Sequence, residues 1–234
     1  MSKVDFINDF NRVCKELNLD INPHFEFGLK VSNDSVNTDR VNIGIKNQDI
    51  TQDNLICFID ELFDNIEDTN KFIKSIYKDH GDKIQQIFLG YSNGSTELYF
   101  ECYSPGESSY CISFNSTDIK QNEYYPLTNS EEVINELTEL IKEKTSLIIS
   151  ESDNIFKGGF VKEGNIYYIL IVEPMVRLEN ILKLLCYDTN PNNKENIDEW
   201  FNENKEKIIS NIAYIIKNNQ LILNIYVNES TRTN

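Results

Sequence analysis

The sequence predicts an α+β protein in which amphipathic helices cover an antiparallel sheet, and three observations lead to that prediction. One unit recurs four times, as a stretch with helical apolar spacing followed by two short strand-like runs. The runs of each unit are joined by a polar turn whose Asn and Gly residues tolerate the positive φ of tight hairpins. Apolar and polar residues alternate along the runs, as in strands with one buried face. We assign the units to residues 3–46, 51–115, 128–173 and 177–227 of a single domain, 1–234.

The first unit begins with a helix predicted over residues 4–17, where apolar side chains recur every three or four positions. The connection that follows ends at Pro23, which cannot continue a helix. The alternating runs 24–32 and 40–46 then predict the first hairpin.

The second unit opens at Thr51, whose hydroxyl can cap the free amides at a helix start. Its apolar stripe runs to about residue 63, and the helix is expected either to continue or to break and resume before His80. Three strands are predicted in this unit, at residues 84–92, 96–103 and 109–115. Residues 117–127 are expected to form an ordered but irregular connection.

The third unit starts at Thr128, which with Glu131 matches a capping box for a helix over residues 130–144. Its predicted hairpin pairs residues 155–162 with 165–173. The fourth unit combines predicted helices at 178–187 and 195–207, an Asn-rich loop at 190–193, and a hairpin of residues 211–217 and 220–227. Residues 228–234 are expected to be a frayed tail.

Each predicted hairpin has one apolar face, which the helices would cover, and one mixed face. On residues 96–103, for example, Leu98 and Phe100 alternate with Tyr99 and Glu101. Eight or nine strands of similar length are enough to remove exposed edges by closure. The sequence therefore predicts an antiparallel barrel with a polar lumen, surrounded by an outer ring of helices. The alternative is an open antiparallel sheet that helices cover on one face only.

Composition excludes several functional classes. The formal net charge of −16 repels a phosphate backbone, so nucleic acid is not an expected partner. Five cysteines without CxxC spacing and only two histidines predict neither a disulfide framework nor a metal site. The longest apolar run, residues 166–172, is far too short to span a membrane, and the first residues lack the apolar core of a secretory signal. A cytoplasmic protein is expected.

Several strand segments carry a resemblance to a known family. They are FEFGLK at 25–30 with VNIGIK at 41–46, IFLGY at 87–91 with ELYFE at 97–101, FKGG at 156–159 with IYYIL at 166–170, and LNIY at 223–226. Repeated αββ units with a tyrosine-rich inner face resemble the ABBA-type aromatic prenyltransferases, or PT-barrel family. The pattern is most similar to the cyanobactin peptide prenyltransferase branch.

The resemblance implies an enzyme that moves a dimethylallyl or similar group from an allylic diphosphate to an electron-rich aromatic acceptor, either a small molecule or a peptide. It implies that lysines bind the diphosphate, that tyrosines shield the allylic cation, and that a carboxylate orients the acceptor or takes its proton. The residues at matching positions are Lys30, Lys46 and Lys157 for the diphosphate, Tyr99, Tyr168 and Tyr226 for the shield, and Glu26 and Glu101 for the carboxylate.

This sequence departs from the family plan in two respects. The family has five units, whereas four are clear here, and residues 104–127 are expected to complete the missing wall. Gly44, Ile169 and Ile171 stand at strand positions where the family tends to carry basic residues. Further positive charge would then come from Mg²⁺ or from arginines, and the candidates are Arg12, Arg40 and Arg177.

Two alternative functions remain open. The missing cations and the missing unit favour a non-catalytic α/β module that binds a peptide or protein. The net charge alone supports an acidic protein that mimics DNA. The sequence leaves the acceptor, the prenyl chain length and the oligomeric state undetermined.

Overall fold

The structure is a computed structural model that describes residues 1–32, 35–103, 110–117, 120–126, 156–162, 165–171, 191–217 and 220–231. Its helices are α1 (Lys3–Glu16), α2 (Gln52–Leu62), α3 (Ile66–His80) and α4 (Pro191–Asn204), with a 3-10 turn at Asn47–Asp49. Its strands are β1 (His24–Val31), β2 (Val36–Lys46), β3 (Ile84–Ser92), β4 (Ser95–Cys102), β5 (Tyr110–Asn115), β6 (Lys120–Pro126), β7 (Phe156–Lys162), β8 (Asn165–Ile171), β9 (Lys207–Lys217) and β10 (Gln220–Thr231).

The α+β prediction is confirmed, and each strand pairing among the described residues is antiparallel. The chain divides into two compact units. The first comprises residues 1–25 and 39–125, and the second comprises residues 26–38 and 126–234.

In the first unit, strands β2 to β6 lie side by side in chain order. Helices α1, α2 and α3 cover one face of this sheet with interlocking aromatic rings. Phe6 of α1 stacks on Tyr91 of β3 with ring centroids 5.6 Å apart, and Phe72 of α3 stacks on Phe114 of β5 at 4.8 Å. Such pairs stabilise a core beyond the burial of their area. The apolar face of the hairpins is therefore packed as the alternation predicts.

The helix starts in this unit follow from local capping. Ser2 and Asp5 form a reciprocal capping box at the start of α1. The hydroxyl of Thr51 accepts from the Asn54 amide at 3.2 Å, so the predicted start of the second helix is confirmed.

The helical stretch after Thr51 breaks and then resumes. Asn65 adopts a left-handed conformation with φ of 51°, and α3 begins at the next residue. The side-chain amide of Asn65 donates to the carbonyl oxygen of Ser116, which lies just beyond the end of β5. Asn is among the few residues other than glycine that tolerate this conformation, so Asn65 both turns the chain between α2 and α3 and anchors the start of α3.

In the second unit the strand order is β1, β10, β9, β8, β7. Residues that face each other across β1 and β10 form buried apolar pairs, namely Leu29 with Ile225 and Val31 with Leu223. Helix α4 buries Ile197 and Trp200 on one side. The ammonium of Lys207 lies 3.6 Å from the centroid of the Phe27 ring, a cation–π contact.

Several boundary predictions were wrong, and three of them have a clear physical reason. The region 117–127 contains strand β6. Its polar sequence gives no strand pattern, and the strand forms because β5 supplies partners for its backbone hydrogen bonds. Helix α4 begins at Pro191 rather than after a loop, since proline suits the first helical position. Strand β10 continues into the predicted tail to Thr231, because β9 begins early enough, at Lys207, to pair with it.

Some predictions lie outside the described residues. They are the capping box of Thr128 and Glu131, the helices at 130–144 and 178–187, and part of the predicted turns.

Candidate functional site

The mixed face of the first sheet brings together three of the predicted site residues. Residues that pair across antiparallel strands share a face, so the register defines cross-strand rows. One row contains Lys46, Gln86 and Glu101, and the next contains Gly44, Phe88 and Tyr99. Lys46 is exposed at the end of β2, and Tyr99 is half-buried. A predicted diphosphate contact, a shield residue and a carboxylate thus lie in neighbouring rows.

Glu97 is held on this face by two hydrogen bonds. Its carboxylate accepts a hydrogen bond of 2.6 Å from the Tyr99 hydroxyl and one of 2.9 Å from the Ser113 hydroxyl. Ser113 is fully buried, with 0% exposure, and it lies opposite Tyr99 on the neighbouring strand. Hydrogen bonds to an ionised acceptor are stronger than neutral ones, so these two donors fix the carboxylate in position.

Gly90 lies opposite Glu97 on β3, where a side chain would meet close neighbours. A Cβ atom there would be 3.1 Å from Asn42 Oδ1, 3.1 Å from the Glu97 carbonyl oxygen and 3.4 Å from Tyr99 Cε2. The amide of Asn42 and the ring of Tyr99 therefore converge above the bare backbone of Gly90. A side chain at this point would have to displace its neighbours by a few tenths of an ångström.

A second glycine on this face lies beneath a histidine. A side chain at Gly44 would overlap the ring of His24. That ring is edge-on to Phe88, with centroids 5.3 Å apart, and Gln86 Nε2 lies 3.1 Å from His24 Nδ1. His24 and Phe88 therefore extend the aromatic surface that Tyr99 begins.

The polar face of the second sheet carries another three predicted residues. Glu26, Lys30 and Tyr226 lie in consecutive rows across β1 and β10, with Gly28 opposite Tyr226 and Asn224 opposite Lys30. All three predicted residues are half-buried. A lysine, a tyrosine and a carboxylate thus recur together on this sheet.

The register separates the two remaining predicted residues from that group. Tyr168 pairs with Tyr214, which pairs with Leu223, so Tyr168 belongs to a row of the apolar face. Lys157 pairs with Leu170, which pairs with Ile212. Ile212 pairs with Ile225 and Ile225 with Leu29, so Lys157 belongs to the row of Leu29. Tyr168 and Lys157 therefore lie in rows that alternate with those of Lys30 and Tyr226.

Of the arginines expected to add positive charge, Arg12 is engaged elsewhere. On the outer surface of α1 it forms ion pairs with Glu61 at 2.9 Å, Glu16 at 3.2 Å and Asp9 at 3.3 Å. Its guanidinium donates hydrogen bonds to Glu61 and Glu16, and these raise its pKa above the ordinary value. Arg40 lies on the mixed face of the first sheet, opposite Ser92, and Arg177 is outside the described residues.

Sequence reasoning missed the centre of the first face. Glu97 stands two residues before Tyr99 on the same predicted strand, so the alternation could have indicated it. Ser113 and His24 gave no comparable signal, because their roles depend on pairing between strands and on packing across a glycine.

No group of three or more His, Cys, Asp or Glu side chains in the described part of the chain is arranged to hold a metal ion. None of its helices is both long enough and apolar enough to cross a bilayer. Comparison of the chain with protein-family models and with curated proteins finds no match.

Proposed function

We propose that the protein is a cytoplasmic aromatic prenyltransferase with an antiparallel barrel around a polar lumen. Its substrates would be an allylic diphosphate such as dimethylallyl diphosphate and an aromatic group of a small molecule or peptide. The observation that carries the proposal is the shared face of Lys46, Tyr99 and Glu101 on the first sheet. The similar set of Glu26, Lys30 and Tyr226 on the second sheet supports it further.

The number of strands also supports the proposal. The described residues form ten strands, and β5 with β6 provides the hairpin that the four predicted units lacked. Ten strands correspond to five consecutive strand pairs, which is the number of units in the family that the sequence resembles. Closure of such a set would leave no unpaired edge.

In the proposed reaction, the bond between the allylic carbon and the diphosphate oxygen breaks, and its electron pair leaves with the diphosphate. A lysine, Lys46 on the first sheet or Lys30 on the second, offsets the negative charge of the leaving group, with Mg²⁺ as a proposed assisting ion. A tyrosine ring, that of Tyr99 on the first sheet or of Tyr226 on the second, stabilises the allylic cation and excludes water. A carbon of the aromatic acceptor attacks the cation, and its proton passes to a carboxylate, Glu101 or Glu26.

The test is incubation of the protein with dimethylallyl diphosphate, Mg²⁺ and a panel of indoles, phenols and aromatic peptides, read by mass spectrometry. The expected product is an acceptor heavier by one prenyl group. Lys46→Ala should weaken diphosphate binding, whereas Lys74→Ala, which removes an exposed lysine from α3, should leave it unchanged. Absence of both product and diphosphate binding would refute the proposal.

A non-catalytic peptide-binding module is the second candidate, and one observation favours it. Glu97 is a fixed, half-buried carboxylate beside an aromatic surface, an arrangement that can bind a ligand without chemistry. Such a module would bind peptide equally well in Lys46→Ala and in the unmodified protein. The transferase would instead lose diphosphate affinity in that variant.

A further inference from the structure

Glu97 is a half-buried anion held by neutral groups. Its two oxygens accept from the hydroxyls of Tyr99 and Ser113. Among the residues that the structure describes, no lysine or arginine contacts this carboxylate, whereas the described ion pairs of Arg12 and Lys71 lie on helix surfaces. Removing a carboxylate from water is costly unless a charge or several donors compensate. Glu97 therefore retains capacity for a cationic partner.

The positive residues that β2 places on this face do not fill that role. Lys46 lies two rows from Glu97, and Arg40 lies in the row on the other side, two strands away. Each carboxylate oxygen accepts up to two hydrogen bonds, so both oxygens of Glu97 can accept one more. Two parallel donors, as in a guanidinium group, would match that geometry.

The neighbours of Glu97 favour a planar cation over an ammonium. Tyr99 and Phe88 are directly opposite on β4 and β3, and both are half-buried on this face. Aromatic faces attract cations, and guanidinium stacks on them while it donates to a carboxylate in its own plane. The Asn42 side-chain oxygen near Gly90 adds a neutral acceptor at the same place.

We infer that the mixed face of the first sheet binds the guanidinium of an arginine side chain, presented by a peptide, between Glu97 and the rings of Tyr99 and Phe88. The net charge of −16 draws basic peptides towards the protein and speeds their encounter. This inference does not rest on prenyl transfer, because it requires neither a diphosphate nor a reaction. If the transferase proposal also holds, the peptide acceptor carries an arginine close to its aromatic residue.

The experiment is an NMR titration of the full chain with N-acetyl-arginine-methylamide and, separately, with its citrulline counterpart, without diphosphate. Citrulline has nearly the same shape but no charge, so it controls for packing. We expect the arginine probe to shift the amide signals of β3 and β4, and the citrulline probe to bind about tenfold more weakly or not at all. Equal binding of the two probes would overturn the inference.

Two variants that each remove one negative charge test whether the arginine probe binds at Glu97. Glu97→Gln keeps the size of the side chain and removes its charge, so it should weaken arginine binding about tenfold or more. Glu195→Gln on the exposed face of α4 makes the same change in net charge and should have no effect. If the two variants behave alike, the attraction is general and the assigned site is wrong.

Two variants of Tyr99 test separately whether its aromatic ring contributes to arginine binding. Tyr99→Phe keeps the ring and should retain most of the affinity, whereas Tyr99→Leu removes the ring and should lose more. Spectra with unchanged signal dispersion confirm that each variant is folded. Equal affinities of the Phe and Leu variants would contradict the role assigned to the ring.

Discussion

The hydroxyl of Tyr99 donates a 2.6 Å hydrogen bond to Glu97, which lies two residues earlier on the same face of β4. Alternate residues of a strand point to the same side, so this contact forms within one strand. Ser113 of β5 adds the second donor from the neighbouring strand. The fixed carboxylate is thus a property of one strand pair, β4 with β5.

Tyr99→Phe should lower the free energy of unfolding by about 1 kcal/mol, because it removes one donor from a half-buried carboxylate and leaves the ring in place. Urea unfolding followed by circular dichroism measures the change. Tyr103→Phe is the matched control, since Tyr103 is 46% exposed and should tolerate the change. An equal loss in both variants would show that the contact with Glu97 adds nothing to stability.

Asn65 allows the backbone strain at the α2–α3 break to be separated from the hydrogen bond to Ser116. Asn65→Gly loses the bond and keeps the left-handed conformation accessible, whereas Asn65→Ala loses the bond and also strains the backbone. We expect Ala to be less stable than Gly by about 1 kcal/mol, measured by thermal or urea unfolding.

A second left-handed asparagine provides the control for that series. Asn93, with φ of 48°, is exposed in the β3–β4 turn. Asn93→Gly should be neutral or slightly stabilising, because no side-chain bond comparable to that of Asn65 is lost. A destabilisation as large as that of Asn65→Gly would contradict the role given to the Ser116 contact.

Ionisation of Tyr77 should lower the free energy of unfolding at alkaline pH. The hydroxyl of Tyr77 donates to Asn47 Oδ1 at 3.0 Å. Burial raises the pKa of this hydroxyl to about 12. In the unfolded chain the group ionises near its ordinary value of about 10, so the unfolded state loses the proton first. Its contribution is therefore complete below about pH 10 and decreases as pH rises towards 12.

The measurement is urea unfolding at a series of alkaline pH values. Tyr77→Phe should show a shallower decline between about pH 10 and 12 than the unmodified protein, since the ionising group is gone. Tyr103→Phe should keep the original slope. Identical slopes in all three proteins would mean that the Tyr77 hydroxyl ionises as easily in the fold as outside it.

The cysteines should differ in reactivity. Cys102 is 1% exposed, and burial raises the pKa of its thiol to about 11, so the thiolate that alkylating reagents require is scarce. Cys111 is half-exposed on the opposite face of the neighbouring strand. At pH 8, iodoacetamide should label Cys111 well before Cys102, as read by peptide mass spectrometry. Denaturation in urea should abolish the difference, and equal rates in the folded protein would contradict it.

The helices and most hairpins were predictable because their signals are local. Apolar spacing, the Thr51 cap and the Asn93-Gly94 turn each involve residues close in sequence, and the structure confirms the elements they predict. Strand β6 was not predictable in this way, because its polar residues alternate with no apolar set and its partner β5 decides its conformation.

The candidate site was predictable only in part, for a related reason. The alternation correctly put Lys46, Tyr99 and Glu101 on one face. It could not reveal that Ser113 holds Glu97 or that Tyr168 lies in a different set of rows from Tyr226, since both depend on register between strands. Register is set by turns and packing along the whole sheet.

The pairing of β1 with β10 has a consequence for how the chain is made. Glu26 pairs with Asn228, so two segments at nearly opposite ends of the sequence must meet, while the other described pairings join strands that follow each other among the described elements. On the ribosome, the first unit is fully synthesised by Tyr125, but β1 lacks its neighbour until the last strand emerges. For most of translation the backbone groups of β1 that later bond to β10 are therefore unpaired. A chaperone that bound this edge would protect it from pairing with other chains.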